Sequence, residues 1–419
     1  MTAPANPADF AHAGHSGGLF RSLRNHNYRL WVAGAFVSNI GTWVQRTAQD
    51  WLVLTMLTHH SASAVGLVMA LQFGPQMLLL PWTGVAADRL DQRRLLMITQ
   101  GAMGVLALAL GVLTVTGMVR LWQVDVFAFL LGCAAAFDAP VRQTFVGQLV
   151  AQEELSNAVA LNSTSFNGAR MIGPAVAGLI IAATGLGWSF VINGVSFFAV
   201  LLALMLMRGA ELRPIARASR RAGGFAEGLR YVAARPDLLA ILAMLFLIGT
   251  FGLNFALFIS TMAVQAFHAD ARGYGLLSSA MAVGTVSGAL LNARAGRLRF
   301  AMLTNSAALF GIGCLLAALA PGYWWFAAAL VLTGMAALSF TNATNSIMQL
   351  ASEPAMRGRV QALRLGVALG GTPIGAPIVG FVADHAGPRW ALGVGAASGL
   401  AAALIGAWVA PRWFARDQA

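Results

Sequence analysis

The sequence predicts an all-α membrane protein with twelve transmembrane helices in two pseudo-symmetric six-helix bundles. Three observations carry that expectation. Twelve apolar stretches are each long enough to cross a hydrocarbon core of roughly 30 Å, which takes about 20 residues. The chain is 58% hydrophobic and only 10% charged, far less charge than a water-soluble protein of 419 residues carries. An arginine-rich interval divides the twelve stretches into two sets of six.

Residues 1–27 are polar and contain no apolar signal-peptide core, so the first span is expected to act as its own insertion signal. Spans at 29–56, 64–87, 95–117, 119–141, 158–183 and 187–207 complete a first bundle over residues 28–207. The interval 208–236 holds seven arginines, and Pro214, Gly223 and Gly224 discourage one continuous helix there. Within it, 225–231 is expected to form a short amphipathic helix at the membrane surface. Spans at 238–266, 273–293, 300–320, 322–349, 358–384 and 389–410 make a second bundle over 237–411, followed by a tail at 412–419.

The bundles repeat each other. Gln148-Leu149 near the end of the fourth span is matched by Gln349-Leu350 near the end of the tenth. Gly173, Gly178, Gly185 and Trp188 recur as Gly375, Gly380, Gly387 and Trp390 at a constant offset of 202. Four matches at one offset, with a tryptophan in the same loop, indicate a duplication.

All 27 basic residues are arginine, and their placement predicts orientation. Alternate ends of the spans hold Arg21, Arg24, Arg29, Arg89, Arg93, Arg94, Arg142, the seven interval arginines, Arg294, Arg297, Arg299, Arg357, Arg359, Arg412 and Arg416. The opposite ends hold only Arg120, Arg272 and Arg389, a bias of 21 to 3. Positive charge stays inside, so both termini are expected in the cytoplasm. The formal charge of +12 is explained by anionic lipid headgroups, and no nucleic-acid partner is expected.

Cys133 and Cys314 both lie within spans, so neither a disulfide framework nor a paired-cysteine metal site is expected. Without lysine the chain has no Walker A loop, and it contains no HExxH or GxSxG motif. No catalytic set, metal or cofactor is expected; the chain is not read as an enzyme.

Between the second and third spans lies Gly84-Val-Ala-Ala-Asp88-Arg89-Leu-Asp91-Gln-Arg93-Arg94. It resembles the signature loop of the major facilitator superfamily at Gly84, Asp88, Arg89, Arg93 and Arg94. Asp91 stands where the pattern has a second glycine, and Gln92 where it has a basic residue. The counterpart loop, 292–299, keeps Arg294, Arg297 and Arg299 around Gly296 and lacks the acid. The resemblance implies a latch in which Asp88 meets the positive end of a helix in the other bundle, stabilising the outward-facing state by contacts with the eleventh span. A plain positive-inside loop with an incidental aspartate is the alternative.

In the fifth span, Arg170-Met-Ile-Gly173-Pro174-Ala-Val-Ala-Gly178 resembles the glycine-proline motif of the superfamily's antiporter branches. Such glycines permit close helix approach and Pro174 favours a bend, which a packing face alone also explains. Trp43 with 48–53, 139–142, 157–162 and 356–360 are similar to the enterobactin-exporter and macrolide-efflux branch.

Ionisable and amide groups at membrane depth are costly and mark candidate sites. In the first span, Asn39, Thr42, Arg46, Gln49 and Asp50 share a broad face, with Gln45 beside them. Arg46 and Asp50 are spaced to pair within the helix, either as a fixed neutral pair or as a proton-exchanging acid with its charge partner. Asp125 is the rival coupling acid. Asp138 and Arg142 form a second i,i+4 pair, read as a gate element rather than a substrate contact. Arg170 is a candidate anion contact or the partner of a buried acid. Asn254, Asn342 and Asn345 are further cavity candidates, and Arg364 near the start of the eleventh span joins the gate set. Soft walls of methionine and phenylalanine would suit varied ligands.

These features together predict a secondary transporter that exports a small amphiphilic molecule (a drug, siderophore or secreted metabolite) in exchange for protons. It would rock two bundles around a central site in the cytoplasmic membrane. A monomer surrounded by lipid is expected. A metabolite facilitator or importer is the alternative within transport, and a non-transporting receptor or scaffold the alternative outside it.

Overall fold

The computed structural model describes residues 20–213, 224–294, 300–353 and 356–417. Twelve helical segments follow in order. They are α1 (His26–Leu52), α2 in two pieces (Ala62–Leu78 and Leu80–Arg89), α3 (Gln92–Val115), α4 (Leu121–Leu149), α5 (Gln152–Thr184) and α6 (Leu186–Leu206). A short linker helix (Gly224–Ala233) leads to α7, whose pieces Pro236–Leu247 and Phe255–Thr261 are joined by the π-turn Ile248–Gly252. Then come α8 (Ala271–Arg294), α9 (Phe300–Leu319), α10 (Tyr323–Ala351), α11 (Arg357–Ala386) and α12 (Pro388–Asp417).

Ten of these segments are long and apolar enough to cross a membrane. The other two are α1, made polar by its buried Asn39, Gln45, Gln49 and Asp50, and α2, which breaks at Leu79. Pro75 lies inside the first piece of α2 and Pro81 in the first turn of the second; prolines remove backbone donors and crowd the preceding turn. Several helices outrun their apolar stretches: α4 continues to Leu149 and α12 to Asp417. Hydropathy marks the part of a helix in lipid, whereas backbone hydrogen bonding carries it on into the interface.

Helices α1 to α6 pack as one bundle and α7 to α12 as the other. The bundles meet along α2 against α11 and α5 against α8. The sequence repeat reappears as packing. Gly173 of α5 lies against Trp43 of α1, and Gly375 of α11 against Thr250 of α7. Gly178 crosses α8 at Gly275, and Gly380 crosses α2 at Ala62, so each bundle offers the other the same small-residue seam. Gly185 and Gly387 both end their helices at positive φ, +91° and +98°, a conformation other residues rarely adopt. A further pair at the same offset, Gly132 and Gly334, seats α4 on α2 and α10 on α8.

The expected linker helix forms, but it rests on the second bundle: Val232 is buried in that bundle's core and Glu227 pairs with Arg359 at 3.0 Å. The 1–19 tail, Pro214, Arg217, Arg220, Arg221 and Gly223 of the linker, and Gly296, Arg297 and Arg299 of the counterpart loop lie outside the described residues, as do the side chains of Asp88, Arg294, Arg412 and Arg416.

Candidate functional site

The described hydrogen bonds between the bundles gather at one end. At the arginine-poor end, the Asp384 carboxylate of α11 accepts from Ala62 N (2.6 Å), Ser63 N (2.8 Å) and Ser61 Oγ (2.9 Å) at the start of α2. A carboxylate here satisfies orphan N–H groups and complements the helix dipole. Gln265 Nε2 donates to His60 O at 2.6 Å across the same seam. Trp51 of α1 stacks at a tilt on Tyr274 of α8, ring centroids 5.1 Å apart. At the arginine-rich end, no hydrogen bond or ion pair between described residues joins the two bundles. The described polar ties between the bundles therefore sit at the arginine-poor end.

Where α1, α2 and α5 meet, a wall gathers charge and aromatic surface. The Arg46 guanidinium lies over Trp43 at 4.9 Å and over Phe73 of α2 at 4.7 Å from the ring centroids. Arg170 of α5, exposed, lies 5.5 Å from the Trp43 centroid. Phe166, one turn before Arg170, meets the same indole edge-on at 6.2 Å. The spacing of Arg46 and Asp50 suggests an intrahelical pair; Arg46 instead turns to the two rings, and no ion pair links it to Asp50.

Asp50 sits one turn nearer the closed end, 3% exposed, with Tyr274 close by. Its Oδ1 is buried without a hydrogen-bond partner, and so is Oδ1 of Asp125 in α4. A cavity of about 40 Å³ inside the first bundle is lined in part by Arg46 itself with Thr42, Gln45, Gln49, Gln72 and Asn193. Asn193 donates to Gln45 Oε1 at 2.5 Å, while both amide atoms of Gln49 are buried without a partner. A volume of that size admits water rather than a drug-sized ligand. Gln45 and Gln49 thus face an internal polar pocket.

Asp138 and Arg142 pair at 3.0 Å as their spacing predicts. Asp138 Oδ1 also accepts from Thr99 Oγ1 (2.9 Å) and Gln100 Nε2 (2.7 Å) of α3. Arg142 donates to Asn39 Oδ1 (3.0 Å) and lies 5.6 Å from the Trp31 centroid. The network ties α1, α3 and α4 together within one bundle and occupies Asn39, which the sequence grouped with the cavity.

Compared with known proteins, residues 18–419 match the family described as transmembrane secretion effector. The chain belongs to this family of major facilitator transporters. Its members are transporters, not enzymes, and the chain is a multi-pass membrane protein. It is 27% identical over 374 residues to the multidrug efflux pump Tap of Mycolicibacterium fortuitum, covering 85% of this chain and 89% of that protein. The enterobactin exporter EntS of Shigella flexneri is 24% identical over 84% of this chain and 83% of its own. The staphyloferrin A transporter of Staphylococcus aureus is 32% identical over 180 residues, and the match spans only 45% of that protein. A bacterial homologue of the iron transporter ferroportin, solved in an inward-facing state, superposes with a TM-score of 0.70 at 16% identity over 92% of this chain and 98% of its own, a likeness of fold.

Within this transporter the remaining predicted residues scatter. Asn254 is fully buried at the break in α7, where its Nδ2 donates to Thr250 O at 2.7 Å. Asn342 and Asn345 are half-buried on α10, and the Asn345 carbonyl accepts from Gln361. Arg364 donates to Gln361 Oε1 at 2.8 Å on its own helix. In the loop after α2, Gly84, Arg89 and Arg94 are exposed. Arg93 instead caps the end of α6 through Leu204 O at 2.9 Å, a favourable place for a cation. Asp91, in the place of the pattern's glycine, caps α3 by accepting from Arg94 N at 2.8 Å. Sequence reading overlooked Phe73, Asn193, Tyr274 and Asp384. The last had a legible signal, an acid in the final turn of a helix whose partner helix opens on Ser61.

Proposed function

We propose that this transporter exports a small amphiphilic molecule across the cytoplasmic membrane in exchange for protons, with both termini in the cytoplasm. The observation that carries the reading is one-sided: the described hydrogen bonds between the bundles all lie at the arginine-poor end. With positive charge inside, a molecule sealed there opens to the cytoplasm, where an exporter collects its cargo. The aromatic and guanidinium wall supplies the mixed apolar and polar surface of a ligand site. The efflux functions in the names of Tap and EntS support the direction.

Asp50 is proposed as the coupling carboxylate. It lies where α1 meets α8 at the sealed end, so separating those helices exposes it to the outside and closing them hides it. A group that changes compartment with the transport cycle is what coupling needs.

Everted membrane vesicles test the direction. Export predicts accumulation of cargo inside such vesicles when a proton gradient is imposed, with alkalinisation stopping it. Accumulation only in right-side-out vesicles would replace the exporter by an importer of the same fold.

A further inference from the structure

Arg46 and Arg170 differ from Arg142, the paired deep cation of the same bundle. Asp138 and Arg142 satisfy each other and their neighbours, whereas neither Arg46 nor Arg170 has a hydrogen bond or an ion pair among the described residues. Each guanidinium carries five N–H donors. Ring faces attract the cation, but they leave the in-plane donors on its edges without acceptors. Both guanidinium groups lie against the one Trp43 ring, and Asp50, one turn from Arg46, forms no salt bridge to it. Two like charges gathered on one ring at membrane depth are costly without an ion-paired counter-charge.

We infer that this wall is an anion subsite: Arg46 and Arg170, with Trp43 between them, take a carboxylate or comparable planar oxyanion joined to an aromatic body. The geometry fits that chemistry in three respects. Guanidinium edges match planar oxyanions in a bidentate way that an ammonium cannot. Trp43, Phe73 and Phe166 offer ring surface beside the charge. Arg170 is exposed, so a ligand can reach it without rearranging the bundle. A purely structural role, with the arginines bolting α1 to α2 and α5 through the rings, leaves the edge donors unanswered.

The inference deepens the proposed transport function by naming the cargo's charge, and its test uses binding alone, with no gradient and no direction. Purified full-length protein in nanodiscs is titrated with 2-naphthoate, 2-naphthamide and 2-naphthylmethylamine, which share a ring system and differ in charge, and binding is read calorimetrically. The carboxylate is expected to bind about ten-fold or more tightly than the amide or the amine. Arg46→Gln and Arg170→Gln should each remove about ten-fold of carboxylate affinity and leave amide binding unchanged, while Arg120→Gln, in the loop before α4, changes neither. The ligand series on the unmutated protein decides the matter even where a variant fails to fold. Equal or tighter binding of the amide or amine, no measurable carboxylate binding, or carboxylate binding indifferent to both arginine changes overturns the subsite. Any of these leaves the exporter reading intact, and a failure of vesicle accumulation leaves the subsite intact.

Discussion

The two bundles share a backbone plan and differ in what they bury. Under the 202-residue offset that superposes the packing glycines, Asp138 falls on Phe340, Arg142 on Thr344, Asp125 on Ala327 and Arg170 on Thr372. The second bundle has a single continuous apolar core of its own around Phe300, Phe310 and Phe340. In the first, the core at the arginine-rich end and a small cluster around Met103 and Phe197 adjoin buried amides and charges. Duplication fixed the packing seams between the halves, while most of the buried charge at these equivalent positions lies in the first bundle only.

The most severe way to break that contrast is to remove the acid proposed to couple. Asp50→Asn should abolish gradient-driven efflux while keeping substrate binding and passive exchange. Asp125→Asn, which alters the other buried carboxylate with a partnerless oxygen, should leave coupling intact. Substrate-induced proton release and pH-driven transport in liposomes check both. Full coupling in Asp50→Asn would return that residue to a structural role.

Next in size is the seam. A side chain at Gly178 would begin 2.7 Å from Gly275 Cα and 2.8 Å from the Ala271 carbonyl, so Gly178→Leu should stop cycling without preventing insertion. Gly168 lies on the same helix with open space at its Cβ position, and Gly168→Ala should transport normally. Normal transport by Gly178→Leu would mean that α5 does not keep this contact through the cycle.

These cases show what was legible in advance. Spans, duplication and the Asp138–Arg142 pair follow from local features: apolar length, a fixed offset and i,i+4 spacing. Arg46 defeated the same spacing rule because Phe73, on another helix, competes for the guanidinium, and sequence distance does not reveal that neighbour. The break at Leu79 was hidden because hydropathy is blind to the missing N–H groups of Pro75 and Pro81. Asp384 was legible as an acid in a last helical turn, but its pairing was not, because two of its partners are backbone amides more than 320 residues away.

A third prediction measures the buried network directly. Asp138→Ala leaves Arg142 buried without its carboxylate, which should cost about 3–5 kcal/mol of stability. Glu211→Ala breaks an exposed pair, Arg208–Glu211, and should change stability by about 1 kcal/mol or less. Thermal melts of both purified variants make the comparison. Similar melting temperatures would show that the network adds little to the first bundle.

The smallest effect tests whether the two ends of the seam oppose each other. Helices α2 and α11 run antiparallel, and each has an aspartate near its C-terminal end: Asp88 in Leu80–Arg89 and Asp384 in Arg357–Ala386. Asp384 already caps the start of α2, sealing the arginine-poor end. Asp88 is proposed to do the same for α11 when the arginine-rich end closes. Replacing either by asparagine removes the charge that complements the helix end, an effect of about 1–2 kcal/mol, which moves a balanced equilibrium several-fold. The signs should differ: Asp384→Asn favours the state open at the arginine-poor end, and Asp88→Asn disfavours it. A reporter cysteine at Ala376, fully buried in the seam, gives the readout once Cys133 and Cys314 are replaced by serine. Its reaction with a membrane-impermeant maleimide in whole cells should quicken several-fold in Asp384→Asn and slow in Asp88→Asn. Both variants should insert normally and transport poorly, because a cycle biased strongly either way spends its time in one state. Rates that shift in the same direction, or wild-type efflux by a well-expressed Asp88→Asn protein, would remove the Asp88 latch and leave Asp384 as a seal acting alone.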